Sequence, residues 1–147
     1  MNELEMTAVL RSFIAENWAD YVSSTSDTVL TLDDIILQQP DDDLLPNGKY
    51  GIFINANDSQ YDDFDMTEDE VDLSVTLSIL ALQEDEVTLR DRVFEIKDTL
   101  YRMLRDNQSL GGEANFVKIT SCRYFPQLFV EFNIVGMDVN LTISYCV

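Results

Sequence analysis

Carboxylate side chains are the residues whose number and spacing first suggest chemistry in this sequence. Eleven of the 28 lie in two stretches, residues 41–43 and 58–72. We single out ten as candidate partner-facing residues: Asp41, Asp42, Asp43, Asp58, Asp62, Asp63, Asp65, Glu68, Asp69 and Glu70. Carboxylate oxygens at this density could bind calcium, and paired carboxylates could act as general acid and base.

The spacing of the acids does not fit a calcium loop. An EF-hand loop needs glycine at its sixth position and glutamate at its twelfth. A loop that starts at Asn55 has Gln60 and Met66 there, and one that starts at Asp58 also has neither residue type in place. We therefore predict no metal site, and we expect the acids to be solvated or to face a partner.

Catalytic arrangements are equally hard to build. Asp33-Asp34 and Asp62-Asp63 are adjacent pairs, and neighbours on an extended chain point to opposite faces. The chain has no histidine, which excludes a Ser-His-Asp triad and a His-ligated zinc. Two cysteines, Cys122 and Cys146, are too few for a cysteine-only zinc site, and we predict that both are buried structural thiols. The sequence predicts no enzyme and no cofactor.

Charge and hydropathy exclude further classes. The 147 residues carry a formal net charge of −19, which opposes direct binding to phosphate backbones. Residues 1–83 hold 18 acids against 2 bases. No apolar run approaches the roughly 20 residues of a membrane helix. The start of the chain lacks a basic region followed by an apolar core, so we expect no signal peptide, a cytoplasmic location and no membrane partner.

Two segments have helical periodicity. Apolar residues recur every three or four positions over residues 3–22 and 85–106, and Asp85 is a plausible N-cap. The predicted apolar stripes are Met6, Leu10, Phe13, Ile14, Trp18 and Tyr21 in the first helix, and Leu89, Val93, Ile96, Leu100, Met103 and Leu104 in the second. The second helix also carries five bases interleaved with acids, which favours an exposed face with salt bridges.

Strand patterns occupy most of the remaining chain. We predict one or two short strands within 28–38, then strands at 49–55, 70–82, 116–124, 128–135 and 137–145. Gly136 is interpreted as a tight turn or as a kink in one long strand. Residues 39–48 and an acidic stretch at 56–69 are predicted loops. The whole chain, 1–147, is thus predicted to be a single α+β domain, with a mainly antiparallel sheet and two amphipathic helices packed on one face.

The other face of this sheet is rich in serine, threonine and asparagine. Strands 70–82 and 137–145 alternate apolar residues with these uncharged polar ones. Such a face can be exposed to solvent or can pack against another subunit. The apolar end Tyr145-Cys146-Val147 is interpreted as docking against a neighbour.

The order of these elements resembles that of tail-terminator and related neck or tail-completion proteins of long-tailed bacteriophages. The resemblance runs through 70–107, a stretch that includes the sequence VDLSVTLSILALQEDEVTLRDRVFEIKDTLYRML (71–104), and continues through 117–124 and 128–135. It is a resemblance of pattern and contains no signature motif. The acidic segment at 56–69 and the length after Gly136 lie outside that pattern.

The resemblance implies a structural virion protein that is assembled in the host cytoplasm. It implies a homo-oligomeric ring, commonly a hexamer, that joins the tail tube to the head-connector proteins while DNA passes through. A negative channel wall repels phosphate and lets DNA slide. The ten candidate acids are then expected to face solvent, the channel or a basic partner rather than the contacts between copies.

An acidic mimic of DNA is the alternative. Such a protein would inhibit a DNA-binding host defence protein, and it needs exposed carboxylates about 7 Å apart, like phosphates along one strand of a duplex. It would be a monomer or dimer whose binding falls steeply with salt. Acids concentrated in loops disfavour this hypothesis.

Overall fold

Two helices and five strands make up the part of the chain that the structure describes. The computed structural model describes residues 1–22, 32, 34–37, 49–63, 69–82, 84–126 and 134–147. In chain order the elements are α1 (Glu3–Val22), β1 (Asp34–Ile36), β2 (Tyr50–Asp63), β3 (Asp69–Leu82), α2 (Glu86–Asp106), a 3-10 turn (Leu110–Gly112), β4 (Phe116–Phe125) and β5 (Ile134–Cys146).

Both helices begin with a side-chain cap. The Asn2 side chain accepts a hydrogen bond from the Glu5 backbone N–H (2.9 Å), and the Glu5 carboxylate accepts one from the Asn2 N–H (3.2 Å). This reciprocal pair is a capping box. At α2, Asp85 Oδ1 accepts from the Thr88 N–H at 2.9 Å, which confirms the predicted N-cap. Gly111, with φ of 73°, lies in the turn where the chain leaves α2 for β4.

The strands form one sheet in the order β1-β2-β3-β5-β4. β1 is parallel to β2, and the other three pairings are antiparallel. The predicted α+β class with a mainly antiparallel sheet is confirmed. β5 is inserted between β3 and β4, and α2 connects those two strands, so α2 lies across the centre of the sheet and contacts all three.

The two faces of the sheet differ sharply in polarity. Residues paired across an antiparallel ladder share a face, and Leu77 of β3 lies opposite Ile54 and Val139. That face packs against α1 and α2 in one core, which contains every predicted stripe residue of α2. In α1, Phe13 and Tyr21 are only partly buried. The opposite face carries Ser74 and Thr76 at the alternate positions of β3. Further along β3, the same face holds a small buried apolar cluster of Phe53, Leu80 and Ile134.

The predicted acidic loop at 56–69 is wrong in its first half. Residues 56–63 continue β2 and pair with β3 through Asp63–Asp69, after a bulge between Ala56 and Ser59. This segment has little intrinsic strand preference, but a strongly alternating partner strand provides its backbone hydrogen bonds, and such pairing overrides propensity. Residues 64–68 lie outside the described residues.

Three further predictions meet different outcomes. Of the two interpretations of Gly136, the tight turn is wrong and the continuous strand is right, because Gly136 is a buried residue inside β5, paired with both Leu80 and Phe125. A strand between two neighbours has its backbone groups in two ladders, which leaves no freedom to turn there. The region 28–38 contains the short strand β1. The predicted strand at 128–135 is described only at 134–135, where β5 begins, and the predicted loop at 39–48 is almost entirely outside the described residues.

The Tyr50 hydroxyl leads to a testable prediction of pH dependence. It donates to Glu84 Oε2 at 2.8 Å, and burial together with that carboxylate raises the pKa of Tyr50 to about 12. The folded protein holds this proton more tightly than the unfolded chain. Its contribution to stability is therefore complete below about pH 10 and is lost as pH rises towards 12.

We expect Tyr50→Phe to reduce the fall in the free energy of unfolding between about pH 10 and 12. Urea denaturation at several pH values measures it. Tyr101→Phe makes the same chemical change at an exposed position of α2 and serves as the control. An unchanged pH dependence in Tyr50→Phe would contradict the assignment.

Candidate interaction surfaces

The face of the sheet opposite the helices carries a continuous chain of hydrogen-bonded polar side chains. Asn57 Nδ2 of β2 donates to Thr76 Oγ1 of β3 (2.8 Å), which donates to Asn140 Oδ1 of β5 (2.9 Å). Asn140 Nδ2 then donates to Ser121 Oγ of β4 (3.0 Å). We call this side of the sheet the polar face. Among the described residues, neither helix packs on it, so these neutral groups form a surface rather than a core.

An acidic end borders the polar face where β2 and β3 approach their connection. Asp62 lies opposite Glu70, and Asp63 lies opposite Asp69, in consecutive ladder pairs. We call these four residues the hairpin end. Like charges directly opposite on neighbouring strands are destabilising, so this arrangement works against the fold. A local arrangement that lowers the stability of the fold is a reason to look for function there.

A hydrogen bond from β5 partly satisfies one acid of the hairpin end, whereas the next acid along β3 has an oxygen that lacks a donor among the described residues. Ser144, which is fully buried, donates to Glu70 Oε1 at 2.5 Å. Asp72, two residues along β3 on the same face, has a buried oxygen, Oδ1, for which the described part of the chain provides no donor. An unpaired buried acceptor lowers the stability of the fold. Asp72 is therefore, like the paired acids of the hairpin end, a carboxylate in an unfavourable position on the sheet.

The ten candidate acids have different positions in the fold. Asp58 is exposed at the bulge of β2, Asp69 is exposed and Glu70 is half-buried on β3. The backbone places Asp62 and Asp63 on β2 at the hairpin end. Asp41, Asp42, Asp43, Asp65 and Glu68 lie outside the described residues. The structure thus brings together the described members of the second acidic stretch on paired strands.

The helix-facing side of β2 also reaches α1 through polar contacts. Both the Tyr61 hydroxyl and the Ser59 hydroxyl donate to Glu3 Oε1, the latter at 3.0 Å. The hydrogen bond from Tyr61 is the main reason why the pKa of Glu3 is lowered. These contacts hold the distal half of β2 against the first turn of α1.

The prediction of buried thiols is wrong, whereas the end of β5 is only partly buried. Tyr145 is buried in the core of its own chain, and the Val147 N–H donates to the Asp69 carbonyl at 3.0 Å. The Val147 side chain is exposed, so the docking of this end against a neighbour stays a prediction. Cys122 and Cys146 are both exposed rather than buried. Cys122 follows the bulge of β4, which the alternation pattern could not indicate, and desolvation by nearby atoms raises the pKa of its thiol.

Three of the five bases of α2, Arg90, Arg92 and Lys97, form ion pairs with acids of the same helix, as the prediction of a salt-bridged face requires. Arg92 Nη1 lies 3.0 Å from Glu95 Oε2, one helical turn away, and Lys97 Nζ lies 2.6 Å from Asp98 Oδ1. Exposed pairs of this kind contribute little to stability. They do neutralise much of the charge on this helix.

Sequence reasoning missed a surface beside α2. Three residues at intervals of seven, Val87, Phe94 and Tyr101, are exposed along the helix. The Phe94 ring lies 5.2 Å from that of Tyr124 on β4. Near Tyr101, a cleft of about 560 Å³ separates the end of α2 from the exposed Phe116. The seven-residue spacing was the available signal, but it lies beside the stronger buried stripe.

The basic residues of β4 were also missed as a group. Of the described strands, only β4 contains any, Lys118 and Arg123, and β4 has no acid. The Arg123 guanidinium lies over the Phe125 ring, 5.1 Å from its centroid. β4 is the last strand at one side of the described sheet, so this protein of net charge −19 presents a basic edge.

Comparison with known proteins adds no relative. No protein-family model matches the chain, and no curated protein matches it. Within the described ranges, no helix is long and apolar enough to cross a membrane. The same residues contain no group of three or more cysteine and acidic side chains placed to hold a metal ion.

The polar chain gives a testable prediction for stability. Asn140→Ala removes the partner of both Thr76 and Ser121, and because the site is half-exposed we expect a loss of about 1 kcal/mol in the free energy of unfolding. Thr142→Ala, on the same face and strand but outside the chain of bonds, should change it by less than about 0.5 kcal/mol. Equal losses in the two variants, measured by urea denaturation, would contradict a structural role for the chain.

Proposed function

We propose that this protein is a structural virion component that forms a ring at the junction of head and tail in a long-tailed bacteriophage, with DNA passing through the ring. The observation that carries the proposal is the two-sided sheet. One face is filled by helices, and the part of the other face that lies next to the acidic hairpin end presents neutral hydroxyl and amide groups. The resemblance of element order to tail-terminator and neck proteins supplies the biological setting.

The charge distribution supports passage of DNA without capture. DNA-binding surfaces use clustered lysine and arginine to displace counterions, whereas the polar face combines uncharged groups with carboxylates of the hairpin end. A wall of this composition repels the phosphate backbone at short range, and salt screens the repulsion within about 10 Å at 0.1 M. The hairpin end is the part of the described chain that we place towards the channel.

The ring is tested by measuring the mass of the native protein. We expect native mass spectrometry and light scattering to give an integral multiple of 16.8 kDa, with six copies as the number that the resemblance implies. Negative-stain images should show a central opening. A protein that remains monomeric at high micromolar concentration, alone and with tail tubes, would contradict the proposal.

The role of the hairpin end is tested by reversing its charge. Asp69→Lys with Glu70→Lys should leave the ring mass unchanged but allow the ring to bind duplex DNA at low salt, because the wall becomes attractive to phosphate. Glu16→Lys with Asp20→Lys makes the same change of charge on exposed positions of α1 and should have a much smaller effect. Equal DNA binding by both variants would contradict the placement of the hairpin end at the channel.

One observation favours the alternative of a DNA mimic. Glu70 and Asp72 lie on the same face of β3, two residues apart, and a strand advances about 6.8 Å over two residues. That distance is close to the phosphate spacing of a duplex. A monomeric or dimeric protein that displaces duplex DNA from a nuclease or repressor, with displacement lost at raised salt, would favour the mimic over the ring.

A further inference from the structure

The described sheet has two open edges of opposite charge. One edge is β4, with ten residues, two bases and no acid. The other is the distal part of β2: β1 covers β2 only at 51–53, so residues 54–63 have no strand beside them among the described residues. This stretch contains Asp58, Asp62 and Asp63 and no base. An edge strand presents a row of unpaired backbone N–H and C=O groups to any compatible strand.

Each edge is interrupted by one bulge, which leaves a straight segment on either side. In β4 the register shifts between Ile119 and Ser121, and in β2 between Ala56 and Ser59. The straight segments beyond the bulges are 121–125 and 59–63, each of the length of a typical strand. The first contains Arg123, and the second contains Asp62 and Asp63.

The charges select which edges can meet. Two β4 edges would bring Lys118 and Arg123 against their own copies, and two β2 edges would do the same with the acids, so both symmetric pairings are repelled. A β4 edge facing a β2 edge is attracted. Charged residues on edge strands protect proteins from uncontrolled strand pairing. Here the β4 edge is basic and the β2 edge is acidic, so one pairing is still permitted, namely that of the β4 edge of one copy with the β2 edge of the next. Such head-to-tail contacts close into rings when the rotation between copies allows it.

We propose that the occupant of the β4 edge is a second copy of this chain, which contributes the distal half of its β2 as the next strand, so that the sheets of neighbouring copies join edge to edge. This inference rests on the proposed ring and names the surfaces that form it. It differs from the expectation that the acids avoid contacts between copies, because Asp58 and its neighbours lie on a strand edge that no other described strand covers, and a basic edge lies on the opposite side of the sheet.

The test exchanges the charges of the two edges. Lys118→Glu with Arg123→Glu makes both edges acidic, and Asp58→Lys with Asp62→Lys makes both edges basic. We expect each variant alone to lose the oligomer and to run at the monomer mass by native mass spectrometry and light scattering. An equimolar mixture should regain the wild-type mass, because each altered edge then meets an edge of opposite charge. A single chain that carries all four substitutions should also assemble.

Charge-matched controls lie away from the edges. Arg11→Glu with Arg90→Glu and Glu16→Lys with Asp20→Lys change exposed helix residues by the same charge and should keep the wild-type mass. Circular dichroism establishes that each variant is folded. If a reversal unfolds the chain, Lys118→Gln with Arg123→Gln and Asp58→Asn with Asp62→Asn remove the attraction without adding repulsion, and each should weaken the oligomer.

The outcomes separate this inference from the proposed function. A wild-type ring that persists in both edge variants, or folded variants that stay monomeric when mixed, would overturn the edge pairing and leave the ring itself standing. A wild-type protein that is monomeric under all conditions would overturn both. Loss of assembly in each edge variant with recovery in the mixture supports the pairing, since a general effect of charge would not be reversed by mixing.

Discussion

The pairing of β3 with β5 is the interaction on which the rest of the structure depends. Their ladder runs without a break from Glu70–Cys146 to Leu82–Ile134. Because both strands alternate apolar and polar residues in the same phase over most of their length, one register directs these apolar side chains towards α1 and α2. Leu80 and Ile134 are exceptions, since they lie in a small buried cluster on the other face. A shift by one residue would place those side chains on the polar face. The ladder therefore specifies the core and the open face at once.

The same constraint explains why the acids are accommodated in spite of their repulsion. β5 pairs with β3 from Glu70 to Leu82. This pairing fixes the position of the first residues of β3, which belong to the hairpin end, even though their charges repel those of β2. β2 follows β3 because its backbone groups need partners, and Glu3 of α1 accepts hydrogen bonds from two of its side chains. The like-charged pairs are thus imposed by the pairing of their neighbours, and the acidic hairpin end that we propose to be functional lies on a strand held firmly by β5.

The charges at the β4 edge of the sheet have a different structural origin from those at the β2 edge. Among the described strands β4 pairs only with β5, and its residues are mostly exposed, so its composition is free of the demands of a core. Basic residues at this edge oppose the net charge of the whole chain. In the proposed ring each copy carries −19, so mutual repulsion is large, and the proposed attraction between matched edges is a physical means of holding copies together in one orientation.

The sequence by itself determined both helices, the N-cap at Asp85, the long alternating strands around Leu77 and Ile143, and hence the α+β class, because these features depend on local periodicity and capping chemistry. Only the tertiary structure decided that residues 56–63 form a strand rather than a loop, that Gly136 continues β5, and that Cys122 is exposed. Each of these depends on which strand lies alongside, and backbone pairing between distant segments leaves no periodic signal in the chain. For the same reason the basic edge of β4 and the acidic edge of β2 could be recognised as opposite sides of one sheet only once the strand order was known.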